Sequence, residues 1–197
     1  MLNVFQGRGR LTVKCSTVKS GRTDRSRLLV VRPRPSRPTQ GLLSVGNTVF
    51  PCALGRGGIT ANKREGDGGT PLGRMRLLSG FVRDRRFAFC SPLPLQRITR
   101  DLGWCEVPDD RNYNRPVRIP YGASHERMMR NDALYDACMV LDWNIRPRKR
   151  GRGSAIFFHL ARPGFTPTEG CVAVTPKVMA RLLPRLSPRS VMVVQRN

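Results

Sequence analysis

The apolar residues of this chain come in short runs, and that restricts what it can fold into. Leu28 to Val31, Met75 to Leu78, Ala88 to Phe89, Met139 to Leu141, Ala155 to Phe158, Val172 to Val174 and Val191 to Val194 last two to four residues each. Gly, Pro, Asp or Asn bound them nearby. Such lengths suit strands, whereas an amphipathic helix needs a stripe sustained over about ten residues or more. Leu42 to Val45 and Thr48 to Phe50 flank Gly46-Asn47, which predicts a hairpin. Pro33, Pro35 and Pro38 predict a turn or an extended edge, because each Pro removes a ladder donor. Gly55 to Gly73 holds seven Gly and no sustained apolar period, so a long surface loop is predicted there. One helix is well marked. Thr175 is its N-cap, Pro176 its first residue, and Val178, Met179, Leu182 and Leu183 share a face before Pro184. A second short helix is predicted over Leu95 to Leu102. The sum is a mostly β domain, a sandwich or an open barrel, with one or two short helices.

A length of 197 residues fits one domain with a tail. Residues 1–27 carry high charge and no period, and are expected to be a basic, disordered tail ahead of a folded domain over 28–197. The opening segment lacks the apolar centre of a secretory signal. It carries no acid before Asp24, which fits a transit peptide, a nucleic-acid arm or an extended start equally well. No apolar stretch approaches the roughly 20 residues that span a bilayer, so no transmembrane segment is expected.

The net charge is +23, from 36 Lys and Arg against 13 Asp and Glu. A charge of that size points to nucleic acid, an anionic membrane surface or an acidic polymer as a neighbour. A basic nucleic-acid-binding module is thus one reading, supported by the tracts Arg32 to Arg37 and Arg146 to Arg152. Those tracts lack interleaved aromatics, and neither a helix-turn-helix nor a zinc spacing appears, so no specific nucleic acid is expected. Six Cys lie far apart, at 15, 52, 90, 105, 138 and 171. With no CxxC pair and two His, neither a zinc site nor another cofactor is expected.

The chemistry concentrates in Ser154 to Val174, SAIFFHLARPGFTPTEGCVAV. An apolar strand ends in His159, a loop broken by Pro and Gly follows, and it closes on Thr168-Glu169-Gly170-Cys171 before another apolar strand. A loop that returns can bring His159 to Cys171, twelve positions on. A free thiol is little ionised at neutral pH, so a nucleophilic Cys needs an imidazole to take its proton. The same imidazole can later serve the leaving and attacking amines. Gly170 lets a carbonyl approach the turn, where the N–H groups of Gly170 and Cys171 can meet a developing oxyanion. The plainer alternative is a buried Cys beside an ordinary His. His125, in the charged segment SHERMMR, is the weaker imidazole candidate.

Thr168-x-Gly170-Cys171 preceded by a strand-borne His159 resembles the L,D-transpeptidase catalytic domain, also called YkuD, over roughly residues 28–197. Ala53-Leu54-Gly55 leading to Gly69-Thr70-Pro71-Leu72-Gly73 is similar to the family's Gly-rich stretch. Trp104-Cys105, Tyr113-Asn114, Tyr135-Asp136 and Asp142-Trp143-Asn144 resemble the branch with a longer insertion before the active segment. The resemblance implies Cys171 as nucleophile, His159 as general base and acid, and Gly170 and Cys171 as oxyanion donors. It implies peptidoglycan stem peptides as substrate: acyl transfer from a tetrapeptide stem with release of D-Ala, then a 3→3 cross-link. It also implies a periplasmic or cell-envelope location and carbapenem as a reagent. An L,D-carboxypeptidase and a wall-protein-anchoring transferase use the same Cys–His chemistry. The sequence departs from the commonest form at Glu169, where many relatives have His, and at Ala173 and Val174, where they have Arg or Asn. Glu169 is expected either to support the substrate or His159, or to be exposed. The carbonyl of Leu160 or a neighbour is expected to orient His159. Arg162 and Thr168 are candidate substrate contacts. An association of the polycationic surface with the anionic wall is expected.

Overall fold

The computed structural model describes residues 27–83 and 91–196. The expected tail, apart from Arg27, and the run Ala88 to Phe89 lie outside the described residues. The Pro-rich stretch makes a hairpin: β1 (Leu28–Arg34) and β2 (Arg37–Val45) turn at Pro35-Ser36, with Ser36 at φ 59°. The predicted Gly46-Asn47 hairpin joins β2 to β3 (Thr48–Ala53), with Val45 paired to Thr48. Two-residue strands β4 (Ile59–Thr60) and β5 (Thr70–Pro71) follow, then the long β6 (Gly73–Val82) and β7 (Leu95–Arg97). The segment 98–135, the insertion of the resemblance above, holds β8 (Leu102–Cys105), β9 (Arg115–Arg118) and β10 (His125–Arg127). Strands β11 (Ala137–Leu141), β12 (Phe157–Leu160) and β13 (Val172–Val174), helix α1 (Pro176–Leu182) and β14 (Val191–Val194) complete the fold.

The main sheet runs β11-β12-β13-β3-β2-β1-β14-β6-β7, and β6 also pairs with β11. That second pairing closes the sheet on itself, so the mostly β expectation resolves as a barrel-like ring. The β13–β3 seam is a single pair, Ala173 with Ala53. Inside lies the first apolar cluster, which includes Leu29, Val31, Leu43, Met75, Leu77, Met139, Phe158, Val172 and Met192. α1 adds Met179 and Leu182 to it, and Thr175 caps α1 by accepting from the Val178 N–H at 3.4 Å.

In the main sheet, β11, β12 and β13 are buried on both faces. Successive side chains of a strand point to opposite sides, so each of these needs a second layer outside the barrel. The insertion supplies it. Ile98, Trp104, Met128 and Tyr135 pack with Phe81, Cys138, Val140, Phe157 and Cys171 into a second cluster.

Two expectations are corrected. No helix covers Leu95 to Leu102: Leu95 lies opposite Gly80 in a parallel pairing of β7 with β6, and this pairing overrides the local pattern. Gly55 to Gly73 is not a surface loop. Gly55, Gly68, Gly69 and Thr70 are buried, and the Gly55 N–H donates to Thr70 Oγ1 at 2.8 Å.

Candidate active site

Strands β12 and β13 run parallel, with Phe158 opposite Val172, His159 opposite Ala173 and Leu160 opposite Val174. Cys171 stands one residue before β13. By the alternation of strands, Phe157, His159 and Cys171 share the outer face, whereas Phe158 and Leu160 turn inward. The insertion covers that face, leaving Cys171 6% and His159 4% exposed.

The sulfur lies between a donor and an acceptor. The Phe157 N–H donates to Sγ at 3.3 Å, and the thiol donates to the Ala155 carbonyl at 3.2 Å. Burial pushes the thiol up to about 12, with the Phe157 N–H and the Lys63 ammonium acting the other way. The imidazole Nδ1 lies 2.8 Å from the Leu160 carbonyl. A carbonyl only accepts, so this bond places the proton on Nδ1 and leaves Nε2 as the open acceptor. Burial lowers His159 to about 4, and the nearby Arg130 and Arg162 charges lower it further against the Leu160 bond. At neutral pH the resting pair is therefore a thiol and a neutral imidazole, not an ion pair.

The turn before Cys171 is held from within and from behind. Thr168 Oγ1 accepts from the Gly170 N–H at 3.2 Å and donates to the Cys171 carbonyl at 2.7 Å. Behind it, the Thr168 N–H donates to the Leu54 carbonyl at 2.9 Å and the Arg56 N–H to the Thr168 carbonyl at 2.8 Å. The segments approach so closely that a Cβ on Gly55 would lie 2.0 Å from the Gly68 carbonyl oxygen and 2.9 Å from Gly170 Cα. Gly170 sits at φ +126°, where a Cβ would meet the Gly69 carbonyl oxygen at 2.7 Å. The two Gly-rich motifs are thus one backbone-on-backbone contact.

Glu169 points to solvent. Its Oε2 pairs with Arg56 Nε at 2.7 Å, and the two side chains are 77% and 56% exposed. The orienting partner of His159 is the Leu160 carbonyl. Arg162 Nη2 lies 3.7 Å from Asp132 Oδ2 at the site's edge. The Thr168 hydroxyl is engaged in the turn. His125 lies in β10 with its Nδ1 against the Ala123 carbonyl and its ring edge-on to Tyr121.

Other side chains surround the pair; the sequence marked Trp104 and Tyr135 only as motifs of the resemblance and Lys63 not at all. Tyr135 packs edge-on to both His159 and Phe157, at 5.3 and 5.8 Å between ring centroids, with the Arg130 guanidinium 5.2 Å from its centre. Trp104 packs edge-on to Phe157 at 5.1 Å. Lys63 is buried, with Nζ 2.5 Å from Asp67 Oδ1. Periodicity cannot report the ring contacts of Tyr135 and Trp104 with His159 and Phe157, because those partners come from distant segments. Among the described residues, Cys52, Cys105, Cys138 and Cys171 are free and buried, and no three of His, Cys, Asp and Glu converge to hold a metal ion. No helix among them is long and apolar enough to cross a membrane.

The chain is 12% identical to L,D-transpeptidase 1 of Mycobacterium tuberculosis, a solved structure. The TM-score is 0.37, and the match spans 86% of this chain and 62% of that one. No curated protein matches. The model of the L,D-transpeptidase catalytic domain matches residues 30–194, nearly the whole described fold. The chain therefore belongs to the YkuD family of L,D-transpeptidase catalytic domains.

Proposed function

We propose that the protein is a peptidoglycan L,D-transpeptidase in which Cys171 is the nucleophile and His159 the general base and acid. The supporting observation is geometric: Cys171 and His159 lie on one covered face, with Nε2 of His159 left open by the Leu160 bond. Nε2 takes the thiol proton as Sγ attacks the stem carbonyl carbon. The oxyanion is met by the N–H groups of Gly170 and Cys171, the first exchanging its bond to Thr168 for the developing charge. The carbonyl re-forms as the C–N bond breaks, and Nε2 returns the proton to the departing D-Ala amine. A thioester on Cys171 remains. An amine of a second stem then attacks it, losing a proton to Nε2, and the new amide leaves the thiol restored. Glu169 and Arg162 stand at the rim as substrate contacts. The substrate class implies work in the periplasm or cell envelope, where the basic surface would hold the enzyme against an anionic wall.

The test is incubation with a disaccharide-tetrapeptide, read by mass spectrometry. Cross-linked dimer and free D-Ala are expected. Tripeptide without dimer would mean a carboxypeptidase, because water had replaced the amine, and neither product would overturn the reading.

A further inference from the structure

One polar side chain connects the insertion to the nucleophile. Asn114 is buried, 2% exposed, and sits at φ 53° between β8 and β9. Its amide is saturated on both sides. Oδ1 accepts from Trp104 Nε1 at 3.0 Å and from the Ala155 N–H at 3.0 Å. Nδ2 donates to the Trp143 carbonyl at 3.1 Å and the Asn144 carbonyl at 3.0 Å. Two donors facing the oxygen and two acceptors facing the nitrogen are what a carboxamide satisfies and a carboxylate or alkyl group does not.

Ala155 is the recipient that matters. It sits at φ 51°, a left-handed conformation that is costly for a residue with a Cβ and needs an external hold. Its carbonyl accepts the Cys171 thiol, and two residues on, the Phe157 N–H donates to the same sulfur. The backbone from Ala155 to Phe157 is thus the cradle of Sγ. The insertion grips it twice, through Asn114 on the Ala155 N–H and through the Trp104 ring on Phe157. We propose that Asn114 is a positioning residue for the Cys171 nucleophile, acting by locking the Ala155–Phe157 cradle in the conformation that aims Sγ. The role rests on the reading of Cys171 as nucleophile. It adds that the insertion is part of the acylation apparatus.

The experiment follows Cys171 at residue level by peptide mass spectrometry in the full chain, with two reagents. Iodoacetamide reports the thiol's titration midpoint, and a carbapenem reports acylation. Asn114→Ala is expected to slow acylation at least tenfold and to move the alkylation midpoint by half a pH unit or more. Adding Ala155→Gly, which takes the left-handed conformation without help, is expected to recover much of both. Because a glycine at φ 51° also relieves strain in the folded state, a role confined to fold stability is separated by measuring every variant well below its unfolding midpoint, where that role leaves acylation at the wild-type rate. The proposal is overturned if Asn114→Ala keeps the wild-type midpoint and acylates within twofold of wild type, or if the double variant is no better than the single. Should Asn114→Ala fail to fold, Trp104→Phe removes the Nε1 donor to Asn114 together with part of the ring that packs on Phe157. A several-fold loss of acylation is expected, and an unchanged rate would overturn the proposal. A wild-type chain that alkylates at Cys171 but takes no carbapenem would count against the transpeptidase reading, while the alkylation arm still judges Asn114.

Discussion

Phe157 and Phe158 are neighbours on β12, both fully buried, yet they belong to different parts of the molecule. Phe158 points into the barrel, among aliphatic side chains that carry almost no polar chemistry. Phe157 points outward into the cluster that contains Cys171, Trp104 and Tyr135. The inner cluster closes the sheet. The outer one turns a face that would otherwise meet water into a dry site for a thiol and an imidazole. That dryness raises Cys171 and lowers His159, so the proposed reaction forms its thiolate by proton transfer during attack.

The largest effect that would sharpen this contrast is at the sulfur. Cys171→Ala is expected to abolish the carbapenem adduct and all cross-linked product while leaving thermal unfolding within a few degrees of wild type. An adduct that survives would place the nucleophile elsewhere. His159→Gln is expected to slow acylation about 10²–10⁴-fold, the usual contribution of a positioned base. The same variant tests the burial argument through pH. Folded His159 resists protonation down to about 4, while the unfolded chain protonates near the ordinary value of about 6.5. The unfolded state thus binds more protons in that window, and stability falls as pH drops from about 6.5 to 4. This share is on the order of 3 kcal/mol and should vanish in His159→Gln, as denaturant titrations at pH 7 and 4.5 would read. The acid limb of wild-type acylation should correspondingly lie near pH 4; a limb near 6.5 would contradict a dry imidazole.

The two phenylalanines break the comparison directly. Phe158→Ala and Phe157→Ala are each expected to cost about 3–5 kcal/mol of stability. Measured where both remain folded, Phe158→Ala should acylate within about threefold of wild type, whereas Phe157→Ala should lose tenfold or more. Equal rates would mean that the outer cluster is only packing. At the rim the effects become small. Glu169→Gln breaks an exposed ion pair, a kind worth about 0–1 kcal/mol, and as the loss of one solvent-exposed rim contact should change acylation by the stem peptide no more than about fivefold. The smallest effect on the chemistry belongs to the net charge of +23. Raising salt should weaken sedimentation with isolated sacculi and leave Cys171 acylation unchanged. Salt-independent sedimentation would mean that the basic surface does not hold the wall.

Much of the fold was legible because it is local. Gly46-Asn47 marks a hairpin, Thr175-Pro176 opens α1, and runs of four apolar residues mark β12 and β14. The stretch from Leu95 and the Gly-rich stretch were misread because each takes its form from a distant partner, β6 in one case and the Thr168–Cys171 turn in the other. The insertion's three-stranded sheet, β10-β8-β9, gave too short a signal in strands of three or four residues. His159 and Cys171 stood out because a polar residue inside an apolar run, followed by a loop and a second run, is a local pattern. Trp104, Asn114 and Tyr135 stood out only as motifs of the resemblance and Lys63 not at all, because their roles depend on the Ala155–Phe157 segment and on His159 and Cys171, which only the fold brings to them.

By itself, then, the sequence determined a mostly β chain, one short capped helix, and a thiol and an imidazole on successive apolar strands. Hydrophobic period and turn chemistry act over a few residues and can be read there. Only the tertiary structure decided that the sheet closes through β6 and β11, that the insertion dries the outer face, and that the sulfur rests in a backbone cradle tied to Asn114. Those features depend on which distant segments meet, and desolvation and hydrogen-bond geometry exist only once they have met.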